Sequence, residues 1–320
     1  LLDYFYLWLT SNETNTEFQR IAESRSGTFP QITFDAISYY PIPIPPLPEQ
    51  KAIAHVLGTL DDKIELNHRM NETLEAMARA IFKSWFVDFD PVRAKSERRD
   101  TGLPDEIASL FPSEFVDSEL GEIPKGWKIC RFADIVEILS GGTPKTSIDE
   151  YWNGDIPWFA VNDTPKTSDV FVIDTEKHIT HAGLNNSATQ VLPVGTTIIT
   201  ARGTVGNLAL VGNEMTMNQS CYGLHGANNY SNYFVFFFTK CILNDLKQRT
   251  HGSVFNTITR ETFNTLNVII PNPKLAQVFD KSIEGLMKKV LINLHETTYL
   301  TKIRDTLLPK LLSGEIRIGV

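Results

Sequence analysis

The sequence predicts an α+β protein: one mixed α/β globular domain joined to a long antiparallel two-helix coiled coil, with part of a second such domain at the N-terminus. Three observations predict it. Residues 27–86 and 253–312 are two copies of one unit, offset by 226 positions. Phe29, Ile32, Thr33 and Pro45 fall on Phe255, Ile258, Thr259 and Pro271, while Leu57, Leu60, Ile64, Asn67, Leu74 and Ile81 fall on Ile283, Leu286, Val290, Asn293, Leu300 and Leu307. A period this long marks a duplicated module, not a solenoid. Each copy also carries an apolar seam at coiled-coil spacing, and the segment between the copies shows short apolar runs punctuated by glycine.

Residues 1–46 read as the C-terminal remnant of a first domain. The aromatic stretch Tyr4 to Leu9 is helix-like and has its counterpart at Tyr233 to Phe238, here at an offset of 229. Ser26-Gly27-Thr28-Phe29 and Gly252-Ser253-Val254-Phe255 then precede a short apolar strand ending in prolines. Pro41, Pro43, Pro45, Pro46 and Pro48 cannot lie inside a helix and mark the stiff approach to one. A proline-ligand reading of this PxxP run is disfavoured, because the second copy has Ile269-Ile270-Pro271-Asn272-Pro273 in its place.

Residues 47–90 form the first long spacer helix. Its seam runs through Ile53, Leu57, Leu60, Ile64, Asn67, Asn71, Leu74, Ala78, Ile81 and Trp85, with steps of mainly four and three. A helix of about 40 residues is about 60 Å long and must pair with something. The partner seam is Phe279, Ile283, Leu286, Val290, Asn293, Thr297, Leu300, Leu307 and Leu311, within the second helix and tail at residues 272–320. Helix one leads into the intervening segment and helix two leaves it, so the pair is antiparallel. Asn67 and Asn293 then lie near the two midpoints. Either they meet and fix the register, as polar seam residues do, or each faces solvent at a weak point of the seam.

Residues 91–120 change character and read as a surface linker with a short helix. Arg93, Lys95, Arg98 and Arg99 crowd there, a solvated loop by default and a phosphate-facing patch in the sharper reading. Residues 121–271 read as the one complete domain, opening at Gly126-Trp127. Strands are expected at Val191–Leu192, Thr196–Ala201 and Leu208–Val211, and a helix near residues 230–248.

Composition narrows the function classes. The chain has 320 residues, 42% hydrophobic and 21% charged, enough for about two domains. No apolar run approaches the roughly 18 residues that span a bilayer, and Tyr4 to Leu9 lacks the flanks of a signal peptide, so the cytoplasm is the expected compartment. Three cysteines without CxxC spacing argue against a disulfide framework or a thiolate zinc site. The net charge of −8 opposes nucleic-acid binding by bulk charge, and residues 121–271 alone are slightly acidic. Any DNA affinity must come from a local patch or from partners.

No catalytic constellation or metal site stands out. His178 and His181 have i, i+3 spacing but sit beside strand-like residues without a third ligand. Ser140-Gly141-Gly142-Thr143-Pro144-Lys145 lacks the spacing of a nucleotide-binding loop, and Pro144 removes a donor. It suits contact with DNA better: Gly142 permits close approach while Thr143 and Lys145 can donate to phosphates. Arg202, on the turn Arg202-Gly203-Thr204-Val205-Gly206, can reach guanine O6 and N7, with Thr204 beside it. Asn218 and Gln219 are the residue types that pair with adenine. Each has a plainer role open to it: Arg202 as partner of a buried carboxylate, Asn218 and Gln219 as caps of turn backbone.

At this point the chain resembles the specificity subunits of Type I restriction-modification enzymes. The resemblance rests on Pro43-Ile44-Pro45-Pro46-Leu47-Pro48-Glu49-Gln50-Lys51-Ala52-Ile53, Ser84-Trp85-Phe86-Val87-Asp88-Phe89-Asp90-Pro91, Leu120-Gly121-Glu122-Ile123-Pro124-Lys125-Gly126-Trp127, the Ser140 to Pro144 loop and Leu307 to Ile316. It implies a non-catalytic subunit that reads a bipartite double-stranded DNA site with two target-recognition domains held apart by antiparallel helices. It implies further that modification subunits use S-adenosylmethionine to methylate adenine, and that restriction subunits use ATP and Mg to translocate and cleave. All of these cofactors belong to the partners, which dock through the helices and supply phosphate-binding surface. One departure is evident, since only one complete recognition domain is present. Either the chain is a fragment, which the Leu1 start favours, or it is a shortened subunit that self-associates to restore two. A coiled-coil adaptor whose globular domain binds another protein is the competing reading.

Overall fold

The computed structural model describes residues 2–25, 31–165, 169–248 and 257–319. The expected segments Ser26 to Phe29 and Gly252 to Phe255 lie outside the described residues. Helices α1 (Leu2–Thr10), α2 (Asn12–Arg25) and α3 (Phe34–Ser38) precede the long α4 (Leu47–Phe86), whose first turn includes Pro48, expected before the helix but tolerated there because that N–H would have no helical acceptor. Then come α5 (Asp90–Ser96), α6 (Asp105–Ala108) and a hairpin of β1 (Phe115–Ser118) and β2 (Gly121–Pro124). The domain continues through β3 (Lys128–Arg131), β4 (Val136–Ser140), β5 (Trp152–Phe159), β6 (Phe171–Val172), β7 (His178–Ile179) and α7 (His181–Asn185). Strands β8 (Thr197–Thr200), β9 (Leu208–Val211), β10 (Thr216–Met217) and β11 (Cys221–Gly226) follow. Helices α8 (Asn232–Cys241), α9 (Leu243–Gln248) and α10 (Arg260–Thr265), then β12 (Asn267–Ile270), lead into α11 (Pro273–Ser313).

The duplication is visible element by element. The first residues of α3 and α10, Phe34 and Arg260, are separated by the repeat offset, and so are those of α4 and α11, Leu47 and Pro273. Thr33 and Thr259 precede α3 and α10 as matching N-cap residues, and Thr259 Oγ1 accepts the Thr262 N–H. One element differs. Strand β12 pairs antiparallel with β3, whereas its counterpart, residues 41–44, is not a strand. Pro41 and Pro43 stand there in place of Asn267 and Ile269, which removes two ladder donors.

The chain divides into two compact units, Leu1–Arg69 with Asn293–Val320, and Met70–Ile292. In the first, the early turns of α4 run antiparallel to the late turns of α11. Arg317 pairs with Glu49 at 2.9 Å, Arg304 with Asp61 at 2.8 Å, and Asn67 Nδ2 donates to Glu296 Oε2 at 3.0 Å. Ile53, Leu57, Leu311 and Leu312 form a core with Tyr4, Leu7, Trp8 and Phe18, which fixes α1 and α2 on the helix pair. Each fully buried side chain of this size contributes about 1.5–3 kcal/mol. The Tyr4 hydroxyl donates to Pro43 O at 2.9 Å, and Trp8, Phe18 and Tyr40 close an aromatic cluster.

In the second unit the antiparallel sense is the same, with Phe82 and Phe86 of α4 packed on Phe279 of α11 at ring separations of 5.5 and 5.4 Å. Phe234, Phe237 and Phe238 of α8 join this cluster. The Asp280 carboxylate of α11 accepts the backbone N–H groups of Tyr233 and Phe234, two of the orphan donors at the start of α8. Its two oxygens thereby bind the start of α8 to α11.

The domain holds a five-stranded sheet ordered β4-β11-β8-β9-β6, a three-stranded sheet β10-β5-β7, and the pairs β1-β2 and β12-β3. In the five-stranded sheet only the β6–β9 pairing is parallel. All four residues of β8 are buried, as a central strand requires. Phe159, Leu192, Ile198, Ala209, Val211, Met215 and Met217 make the core. Of the three expected strands, Thr196–Ala201 and Leu208–Val211 form, while Leu192 makes only an isolated bridge to Met215.

Residues 91–120, expected as surface linker, are tied down. Phe111 is buried with its ring 5.3 Å from Trp85, and Lys95 Nζ donates to the carbonyls of Ala108 and Phe111. Arg93 lies over the Phe115 ring and Arg99 pairs with Glu97. Lys95 thus serves the segment's own packing, whereas Arg93 and Arg99 stay exposed, Arg99 in a surface ion pair.

Candidate nucleic-acid interface

The sheet register brings three loops to one end of the domain. Ser140, the last residue of β4, is opposite Tyr222; Cys221, the first of β11, is opposite Thr200, the last of β8; and Ile199 is opposite Leu208, the first of β9. The loops at residues 141–145, 201–207 and 218–220 therefore emerge side by side. All seven of the expected DNA-contacting residues, Gly142, Thr143, Lys145, Arg202, Thr204, Asn218 and Gln219, lie on them.

Backbone proximity explains the glycines of the first loop. A Cβ on Gly141 would stand 2.0 Å from Asn218 O, and one on Gly142 would stand 2.5 Å from Thr189 N. The Gly142 N–H donates to Met217 O at 2.9 Å, and Trp158 Nε1 donates to Gly142 O at 2.9 Å. The Thr143 hydroxyl bonds Gln219 Oε1, so a side-chain bond joins the first loop to the third while Gly142 is held by Met217, the residue just before it. Lys145 is exposed, and its carbonyl accepts from Trp152 Nε1 at 3.3 Å.

The second loop is clamped at its base by Thr200. Its hydroxyl donates to Thr204 O and accepts the Asn207 N–H, while Gly206, at φ +87°, donates its N–H to Thr200 O. The N–H groups of Ala201 and Arg202 donate to Ser220 O at 2.7 and 3.2 Å, which ties the second loop to the third. Arg202 and Thr204 are exposed. Among the described residues Arg202 makes no ion pair, so the buried-carboxylate role does not apply. Asn218 Oδ1 accepts the Ser220 N–H at 2.9 Å, so it does cap its own turn.

Sequence reasoning missed a fourth segment at this end. Ile258 N donates to Ala201 O at 3.1 Å, and Arg260 Nη2 donates to Ile138 O and to Ser140 Oγ, both at 2.9 Å. The available signal was the repeat itself: Ile258 and Thr259 match Ile32 and Thr33, but the next position changes from Phe34 to Arg260.

The remaining candidates lie elsewhere. His178 is on β7 with Nε2 2.8 Å from Asp174, and His181 opens α7, so the two do not share a helical face. Burial pushes the Cys221 thiol up to about 12. Asn67 and Asn293 are both fully buried, which excludes the solvent-facing reading, and Asn67 Nδ2 donates to Glu296 and Thr297, one turn along from Asn293. No described helix is long and apolar enough to cross a membrane.

Comparison with known proteins accords with this geometry. The family model described as "Type I restriction modification DNA specificity domain" matches residues 1–76 and 124–298. The chain is 33% identical to the Type I restriction enzyme HindI specificity subunit of Haemophilus influenzae, over 99% of this chain and 78% of that one. It is 28% identical to the Type I restriction enzyme MjaIX specificity subunit of Methanocaldococcus jannaschii, over 99% and 69% of the two lengths. Its fold is similar to the crystal structure of the Type-I restriction-modification system S subunit from M. genitalium, with a TM-score of 0.55 and 18% identity over 83% of this chain and 61% of that one. A specificity subunit contributes recognition, not bond chemistry, and the chain belongs to this family of Type I restriction-modification DNA specificity proteins.

Proposed function

We propose that this chain reads a half-site of a bipartite double-stranded DNA target through the loop end of residues 121–271, and docks modification and restriction subunits through its helix pair. The observation that carries the reading is the convergence of the three loops at one sheet end, with Lys145, Arg202, Thr204 and Gln219 exposed on them. Lys145 and Thr204 suit backbone phosphates, and Arg202 suits guanine O6 and N7. Gln219, whose amide oxygen already accepts from Thr143, keeps its amide nitrogen as a donor to purine N7. Cations on these loops answer the objection raised by the net charge of −8, because phosphate contact is local.

Adenine methylation with S-adenosylmethionine, and ATP- and Mg-dependent translocation and cleavage, fall in this reading to the partner subunits in the cytoplasm. Residues 1–46 serve as the rear of another recognition domain. Support comes from paired positions of the two copies: Ile258, Phe263 and Ile270 are 1%, 0% and 8% exposed, but Ile32, Ile37 and Ile44 are 41%, 42% and 73% exposed. An apolar row that one copy covers and the other leaves open is a surface for a further piece of recognition domain, with a second copy of this chain as one source.

The test is selection of duplexes from a random-sequence library by the chain assembled with modification subunits. Enrichment of one bipartite sequence supports the reading. An assembled complex that enriches nothing refutes it.

A further inference from the structure

The segments at the reading end form a closed circuit of hydrogen bonds. The loop at 141–145 is bonded through Thr143 to the third loop and through Gly142 to Met217 just before it, and the third loop is bonded to the second through Ser220. The second loop is bonded to the segment at 257–260 through the Ile258 N–H. Arg260 closes the circuit by reaching back to Ile138 O and Ser140 Oγ at the root of the first loop.

Arg260 makes both of these bonds with a single nitrogen, Nη2. A guanidinium carries five N–H donors in a fixed fork, so Nε and Nη1 remain for another acceptor. The side chain is exposed, and among the described residues no carboxylate pairs with it. An exposed cation at this end, with unused donors and a carbonyl already in its grasp, is arranged for a phosphate oxygen. The internal repeat marks the position: the shared Ile-Thr pair before α3 and α10 is followed by Phe34 in one copy and by Arg260 in the other.

We propose that Arg260 is a positioning residue for DNA reading: Nη2 holds the root of the 141–145 loop while the rest of the guanidinium binds a DNA backbone phosphate, so that backbone contact and loop geometry are coupled. The proposal rests on the DNA-reading function above. It extends that function to a segment outside the seven candidate residues.

The test compares wild type, Arg260→Ala and Arg260→Lys, each assembled with modification subunits. Two quantities are read: the salt dependence of binding to a short duplex lacking the recognised sequence, and the sequence context of methylated adenines in host DNA. For Arg260→Ala the slope of log K against log salt becomes shallower by about one and affinity falls about tenfold near 0.1 M salt, while the methylated context broadens. For Arg260→Lys the charge restores the slope but not the context, because an ammonium cannot span two acceptors and a phosphate as the planar fork does. An unchanged slope in Arg260→Ala overturns the phosphate contact, and an unchanged context overturns the positioning role. If the alanine variant fails to assemble, Arg260→Lys decides alone, since a wild-type context in that variant overturns the proposal. Wild type without any preferred context would instead sink the function on which the proposal rests.

Discussion

Thr143 and Gln219, 76 positions apart in the chain, are joined side chain to side chain across the loop end of the domain. The bond accompanies a backbone approach so close that a single methyl group at Gly141 would overlap Asn218 O. The two loops are thus one surface, and a change in either is expected to alter the reading of both.

Gly141→Ala tests that coupling. The clash is with backbone, which cannot step aside as a flexible side chain would, so the loops must separate. The expected result is loss of sequence-dependent methylation with the helix pair intact, and a destabilisation of about 1–3 kcal/mol in thermal unfolding. A variant with wild-type site choice would show that the loops move independently.

Arg202→Ala probes base reading directly. The side chain is exposed and without an ion pair among the described residues, so truncation leaves no buried charge behind. The expected outcome is a relaxed or lost site preference, equivalent to about 1–3 kcal/mol of discrimination at one position, with assembly unaffected. Failure of the complex to assemble would assign the residue a structural role.

Asp280 carries a pH signature. Burial raises its carboxyl from 3.8 to about 6, against the opposing pull of the Ser231 hydroxyl and the Tyr233 and Phe234 N–H groups. A raised folded-state value means the native protein binds the proton more tightly than the unfolded chain. The contribution is therefore fully present below about pH 4 and lost as pH rises through about 6. It amounts to at most about 3 kcal/mol. Asp280→Asn should flatten the stability profile between those limits relative to wild type, measured by denaturant unfolding. Parallel profiles for the two proteins would contradict the assignment.

Asn67 sits fully buried in the helix seam, bonded to Glu296 and Thr297. Asn67→Ala empties a buried position and takes the amide donor from Thr297, while Glu296 keeps its ion pair with Lys63, and should cost about 1–3 kcal/mol. Loss of melting temperature without loss of the preferred DNA context is expected; an unchanged melt would indicate that water replaces the amide.

The long helices were legible because heptad spacing is a strong local signal: every predicted seam position from Ile53 to Leu311 is buried or half-buried. The starts of α4 and α11, Leu47 and Pro273, are themselves separated by the repeat offset. The gathering of Gly142, Thr143, Arg202, Thr204, Asn218 and Gln219 at one end was less legible. Each was singled out by residue type, but only the register of β4, β11, β8 and β9 places their loops together, and strand pairing is a non-local property. Arg260 was missed for the same reason, since its partners Ile138 and Ser140 are more than a hundred residues away. The anchoring of Lys95 likewise depends on where Ala108 and Phe111 fold back, which its basic neighbours do not disclose.

Selection of the DNA sequence by the loop end of residues 121–271 is tested most directly by mapping methylated adenines in the DNA of cells that express this chain with modification subunits, beside cells expressing Arg202→Ala. One bipartite context is expected for wild type and a broadened or absent context for the variant. Methylation in the same context for both, or none in any context from a fully assembled wild-type complex, would contradict it.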